Sequence, residues 1–142
     1  MAATARELMV AAGFSVAESA ATKRRRFAGG IKADEVATDA SGQQWVVLVA
    51  GASTVVPAGL RRSDVLFRAL GEASVLTTAG ERVLLLTTEL PARGSAALAA
   101  LHAARGTSLV DVVPLGAGGA HERLAVYAAG ATEPVGEPLG EA

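Results

Sequence analysis

The pattern of apolar and polar positions divides the chain into short helical and extended segments. Residues 45–50 are apolar at both alternating sets of positions, which is typical of a strand covered on both faces. Residues 60–76 repeat apolar side chains such as Leu66, Ala69 and Leu76 at helical spacing, which predicts an amphipathic helix. Further elements of the same kinds follow: a strand at 82–87, a helix at 95–105 and a strand at 108–113.

The first 40 residues predict one helix and two more strands. Thr4 and Glu7 have the spacing of a capping box at the start of a short helix. Segments 14–20 and 31–38 read as strands, and the basic turn between them, residues 23–30, would make a hairpin with a basic tip. The predicted element order is α-β-β-β-α-β-α-β, which indicates an α/β fold with a sheet flanked by helices.

Length and composition favour one folded domain with a short extension. A chain of 142 residues with 51% hydrophobic residues can bury one core. We assign residues 1–115 to this domain. Residues 116–142 are a Gly/Ala/Pro-rich extension that we expect to be partly disordered, apart from a short apolar piece at 124–127 that could form an edge strand or one helical turn.

Charge and cysteine content exclude several classes of function. The net charge of −1 offers no general attraction for nucleic acid, so phosphate binding would need a local basic patch. The absence of cysteine excludes disulfides, thiolate zinc sites and cysteine nucleophiles. The start of the chain lacks the pattern of a secretory signal, and no apolar stretch reaches the length of a membrane span. We therefore expect a cytoplasmic protein that does not bind membranes.

The frame around residues 32–51 resembles that of a known superfamily. An acidic residue, Asp34, a hairpin turn and the apolar strand 45–50 follow one another, and the stretch 59–71 looks like the helix that comes next. In this respect, and in its αβββαβ element order, the chain resembles the PD-(D/E)xK superfamily, which includes restriction endonucleases and Holliday-junction resolvases. The resemblance runs from about residue 7 to residue 113. It implies a restriction-endonuclease-like αβββαβ core with a mixed central sheet, extended by a further α-β unit.

The catalytic motif of that superfamily is incomplete here. In active members an Asp and a Glu bind Mg²⁺, and a Lys orients the attacking water. Asp34 matches the Asp, whereas Leu48 stands at the position of the Glu and Ala50 at that of the Lys. An active enzyme would therefore need Asp34 as metal ligand and Lys32 beside it.

It would also need a carboxylate that has migrated from elsewhere in the chain. Glu7, Asp64 and Glu72 are the candidates. Each has a structural explanation as well: Glu7 in the capping box, and Asp64 and Glu72 in i,i+4 pairs with Arg68 on a solvated helix face.

Two basic groups are candidates for contact with nucleic acid. Arg61 and Arg62 lie at the start of the predicted helix 60–76. Cations at a helix N-terminus oppose the helix dipole, so helix stability does not explain them. A basic tip between strands can bind phosphate or simply discourage edge pairing. The candidate nucleic-acid-binding residues are Lys23, Arg24, Arg25, Arg26, Arg61 and Arg62.

Three hypotheses of function follow. The first is a catalytically degenerate nuclease-like domain, without a cofactor, that binds nucleic acid or a protein partner in a restriction, repair or defence setting implied by the resemblance. The second is an active Mg²⁺-dependent DNA endonuclease with migrated catalytic residues. The third is a structural or oligomerising protein with no nucleic-acid role. The oligomeric state stays open, and a homodimer is one alternative.

Overall fold

The computed structural model describes residues 2–50, 63–115 and 119–135. Within these ranges the elements are α1 (Ala2–Ala12), β1 (Ser15–Val16), α2 (Ser19–Arg24), a 3-10 turn (Ala28–Gly30), β2 (Glu35–Thr38), β3 (Gln44–Ala50), α3 (Ser63–Thr78), β4 (Arg82–Thr87), α4 (Ala96–Ala104), β5 (Asp111–Pro114) and α5 (Ala120–Ala128). No helix in these ranges is long and apolar enough to cross a membrane.

The strands form one mixed sheet whose spatial order follows the chain, from β1 to β5. The pairs β1–β2 and β2–β3 are antiparallel, and the pairs β3–β4 and β4–β5 are parallel. This confirms the predicted α/β class, with a mixed central sheet flanked by helices. It also confirms β3 as the central strand.

Alternation along the central strands divides the core between the two faces of the sheet. On one face Val46 and Leu48 pack with α3 and α4. On the other, Trp45 and Val47 pack with α1 and α5. Successive strand residues point to opposite faces, so a strand buried on both sides must be apolar throughout. Full burial of each such side chain contributes about 1.5–3 kcal/mol.

The N-terminal segment differs from its prediction. Helix α1 begins at Ala2, so Thr4 lies within the helix and the capping-box prediction is wrong. The first strand is only two residues long, and directly after it the Arg6 guanidinium binds the carbonyl oxygen of Ala17 at 2.8 Å. The Ala, Lys and Arg side chains that follow have high helix propensity, and they form α2.

The predicted hairpin with a basic tip is therefore replaced by a helical connection. Lys23 and Arg24 form the last turn of α2, and Arg25 and Arg26 follow it. Strands β1 and β2 still pair as antiparallel neighbours. Strand β2 is also shorter than expected, so that Asp34 immediately precedes it.

The turn between β2 and β3 is organised by one buried carboxylate. Asp39 accepts hydrogen bonds from Ser41 Oγ at 2.6 Å, the Gln43 amide at 3.0 Å and Trp45 Nε1 at 2.9 Å. Burial alone would raise the pKa of Asp39, but these hydrogen bonds stabilise the ionised form and lower its pKa to about 2. Asp39 therefore fixes the hairpin that sets the β2–β3 register.

The segment 124–127 belongs to a nine-residue helix, α5, rather than to an edge strand or a single turn. Leu124 and Tyr127 of α5 are fully buried against the sheet. The hydroxyl of Tyr127 donates to Asp111 Oδ2 at 2.5 Å and accepts from the Val135 amide at 3.0 Å. Arg105 binds the other oxygen of the buried Asp111 at 2.6 Å, so the carboxylate is paired.

We expect Tyr127→Phe to lower the free energy of unfolding by about 1–2 kcal/mol, because it removes hydrogen bonds to the buried Asp111 and to the Val135 amide. Asp111→Ala should cost about 3–5 kcal/mol, because it leaves Arg105 buried without its partner. Urea unfolding at pH 7 measures both changes. Val126→Ala, at an exposed position of the same helix, should change stability little. A loss for Asp111→Ala no larger than that of this control would contradict the role of the network.

Candidate functional site

A cavity of about 660 Å³ opens where β3 ends, between the sheet and α3. The 3-10 turn and the segment before β2 form its other wall. The lining residues used below are Lys32, Asp34, Leu48, Ala50, Arg68 and Glu72. The carboxyl ends of parallel strands are a common place for ligands in α/β proteins.

The floor of the cavity is apolar because of strand alternation. Leu48 and Ala50 both belong to the face of β3 that packs toward α3, and Leu85 of β4 is the parallel partner of Leu48. All three side chains are buried. Leu48 and Ala50, the positions where the resemblance leads us to expect Glu and Lys, thus line the same cavity as Asp34 but carry no polar group.

Asp34 joins the start of β2 to the end of β3. Its amide donates to the Val47 carbonyl oxygen at 3.0 Å, and its Oδ2 accepts from the Val49 amide at 2.7 Å. Partial burial of the carboxyl group raises its pKa, an effect opposed by the Val49 hydrogen bond and by the charge of Arg68. Asp34 is thus a fixed acceptor at the cavity wall.

Helix α3 supplies two more charged groups. Arg68 and Glu72 form the expected i,i+4 pair, with Arg68 Nε and a Glu72 oxygen 3.7 Å apart. The Arg68 side chain is 82% exposed and that of Glu72 is 32% exposed, so the pair lies at the rim. With Lys32 and Asp34, the described part of the lining has two cationic and two anionic side chains.

The sequence offered Glu72 as one of three candidate carboxylates but explained Arg68 only by pairing on a solvated helix face, and it missed that both line a cavity. The signal that could have found them is the spacing of Val65, Arg68, Ala69 and Glu72, which repeats every three or four residues and so marks one face of α3.

The other predicted catalytic residues lie elsewhere. Glu7 is exposed on α1, which packs on the opposite face of the sheet from the cavity. Asp64 is exposed in the first turn of α3 and is not among the residues that line the cavity. Of the candidate carboxylates, the cavity therefore brings together Asp34 and Glu72.

The basic cluster at residues 23–26 lies away from this cavity. Arg25 stacks on Phe27 at 4.6 Å and donates to Gln44 Oε1 at 2.8 Å, which holds it at the amino end of β3. The cavity is at the other end, about 13–20 Å along the strand by the usual rise per residue. Arg26 donates to the Lys23 carbonyl oxygen at 2.8 Å, close to the end of α2. Arg61 and Arg62 lie outside the described residues.

Within the described ranges, no group of three or more His, Cys, Asp or Glu side chains could hold a metal ion. Comparisons of the chain with protein-family models, curated proteins and solved structures find no significant match.

We expect Arg68→Gln to raise the pKa of Asp34 further, because it removes a positive charge that favours the carboxylate. A pH titration of the Asp34 carboxyl carbon by NMR measures this pKa. Arg24→Gln removes the same charge outside the cavity lining and should leave the pKa unchanged. A pKa that does not move in Arg68→Gln would contradict the proximity of these two groups.

The raised pKa also sets the sign of a stability effect. The folded protein holds the Asp34 proton more tightly than the unfolded chain does. The stability linked to this group therefore falls as the pH rises from the pKa of the unfolded chain toward the higher pKa of the folded protein. Asp34→Asn mimics the protonated form. It should therefore unfold at a higher urea concentration than the original protein at pH 7.

Proposed function

We propose that the chain is a catalytically degenerate nuclease-like domain that binds nucleic acid in the cavity at the end of β3 without cleaving it. The observation that carries this proposal is the position of the cavity. Asp34, Leu48 and Ala50, the three positions that match the superfamily motif, open into one space. A restriction, repair or defence setting is implied by the resemblance alone.

The order of elements supports the restriction-endonuclease-like scaffold. Without the short helix α2, the chain runs α1, β1, β2, β3, α3, β4, which is the αβββαβ order, and α4 and β5 add a further α-β unit. The antiparallel pairing of the first three strands agrees with the expected core. A scaffold does not determine a function, so the function is argued from the cavity.

The cavity does not fit the Mg²⁺ site of active members. Mg²⁺ requires near-octahedral oxygen coordination, and Leu48 and Ala50 provide no ligand atom. One oxygen of Asp34 already accepts from the Val49 amide, and Glu72 is paired with Arg68. We therefore derive no hydrolytic step for this site.

The cationic side chains at the rim favour phosphate binding. Lys32 and Arg68 are both exposed at the cavity, and Arg68 presents a planar guanidinium that suits phosphate oxygens. Because the whole chain has a net charge of −1, affinity for DNA would depend on such local groups.

We expect Lys32→Gln/Arg68→Gln to weaken the binding of a fluorescent DNA oligonucleotide, measured by anisotropy over a range of salt concentrations. The slope of log affinity against log salt should fall by about one for each lost phosphate contact. Lys23→Gln/Arg24→Gln removes the same charge at exposed positions of α2 and is the matched control. DNA binding that both pairs weaken equally, or that does not depend on salt, would contradict binding at the cavity.

An active endonuclease is the second candidate, because one observation favours it. Asp34 and Glu72 line the same cavity as Lys32, so two carboxylates and an amine lie around the position expected for the catalytic motif. This is the arrangement that migration of the missing Glu to α3 would produce.

Nicking of supercoiled plasmid in Mg²⁺ or Mn²⁺ distinguishes the two candidates. We expect the protein to nick no more plasmid than Asp34→Ala does, because the proposed domain is not catalytic. The two samples are prepared in the same way, so any contaminating nuclease affects both equally. Metal-dependent nicking that is lost in both Asp34→Ala and Glu72→Gln would instead establish the endonuclease and reject the degenerate form.

A further inference from the structure

The cavity has three chemical features that a ligand must match together. Its floor is formed by the buried side chains Leu48, Ala50 and Leu85. Its wall holds the Asp34 carboxyl group, and its rim holds the cations Lys32 and Arg68. The volume of about 660 Å³ lies in the range of small-molecule sites.

The floor suits a flat apolar group. Leu48 and Leu85 are paired neighbours on parallel strands, so their side chains lie side by side on one face of the sheet. In an active member, this area would be occupied by metal-binding and catalytic side chains. Leu48, Ala50 and Leu85 are themselves almost fully buried, so the apolar surface open to a planar ring is that of the half-buried Ile31 and Val65 beside them.

The charged groups restrict the ligand further. Asp34 Oδ2 is held by the Val49 amide at 2.7 Å, so the carboxyl group is fixed with its other oxygen able to accept a hydrogen bond. Glu72 Oε2 lies 3.7 Å from Arg68 Nε, so this carboxylate is already paired with a cation at the rim. A matching ligand has a planar ring, an amino group and an anionic group.

We propose that the cavity takes up one unpaired nucleotide of a nucleic acid strand, with the base against the apolar lining, an amino group of the base donating to Asp34, and the phosphate at Lys32 and Arg68. This inference rests on the proposed function and names its ligand. A base within a duplex is stacked and paired, so only a strand end, a single strand or an extruded base can enter such a cavity.

The role of Asp34 predicts a base preference. Cytosine presents an amino donor at the position where thymine presents a carbonyl oxygen, and a carboxylate accepts a hydrogen bond from the amino group but repels the carbonyl. These two bases are of similar size and carry the same backbone. Comparison of them therefore isolates the hydrogen bond to Asp34 from phosphate binding.

The test uses anisotropy with twelve-nucleotide oligodeoxycytidine and oligothymidine at the same salt concentration. We expect oligodeoxycytidine to bind about tenfold more tightly, within the range of one good base contact. Asp34→Asn should abolish the cytosine preference or reverse it while binding persists, because the amide oxygen keeps the Val49 hydrogen bond and the NH2 group can donate to the thymine carbonyl. Lys23→Gln, on α2, should keep the preference.

A second variant tests the floor. Ala50→Leu places a larger side chain in the cavity without changing charge, so it should remove the preference as well. Cooperative urea unfolding establishes whether Ala50→Leu is folded. If it is not folded, the isosteric Asp34→Asn still tests the base preference.

The outcomes separate this inference from the proposed function. Equal, salt-dependent binding of both oligonucleotides would overturn uptake of a nucleotide and leave nucleic-acid binding in place. A preference that survives in Asp34→Asn would also overturn it. No binding of either strand by the original protein would reject the proposed function and this inference together.

Discussion

Strand β3 is buried on both of its faces, and the other elements are arranged around it. Its alternate side chains enter two separate cores, with Leu48 on the side of α3 and Trp45 on the side of α1 and α5. A shift of one residue in its pairing would exchange these two sets and place the wrong side chains on each face. The register with β2 and β4 is therefore tightly constrained.

That register also determines what the cavity contains. Because Leu48 and Ala50 share the α3 face of β3, any side chain at these positions must enter the space beside Asp34. On the proposed nuclease-like scaffold, catalytic groups would be expected at these two positions, whereas this chain has aliphatic groups there. The cavity is thus apolar at its floor and carries charged side chains such as Asp34 and Arg68 at its wall and rim.

The elements predicted best were those with the strongest burial. Strand β3, strand β4 and helix α3 follow directly from runs or periodic repeats of apolar residues. The prediction of a strand over segment 14–20 is wrong beyond residue 16, because its alternation is too short to distinguish a strand from the approach to α2. Helix α5 was underestimated, since its stability comes from packing and from the Tyr127–Asp111 hydrogen bond rather than from a local pattern.

The candidate site was predictable only in part for similar reasons. The frame around Asp34 gave the positions of Leu48 and Ala50, because strand alternation is local and regular. The distance of the basic cluster from the cavity was not predictable, since it depends on where the helical connection α2 places Arg25 against Gln44. To place Glu72 in the cavity, one must know which face of α3 meets the sheet. The i,i+4 pairing of Glu72 with Arg68 suggested a solvated face instead.

Binding of nucleic acid in the cavity at the end of β3 is tested most directly by amide NMR shifts during titration with a short single-stranded DNA. We expect the perturbed amides to cluster at Asp34, Val49 and Arg68. Perturbation confined to residues 23–26 at the other end of the strand would contradict it, as would the absence of any perturbation.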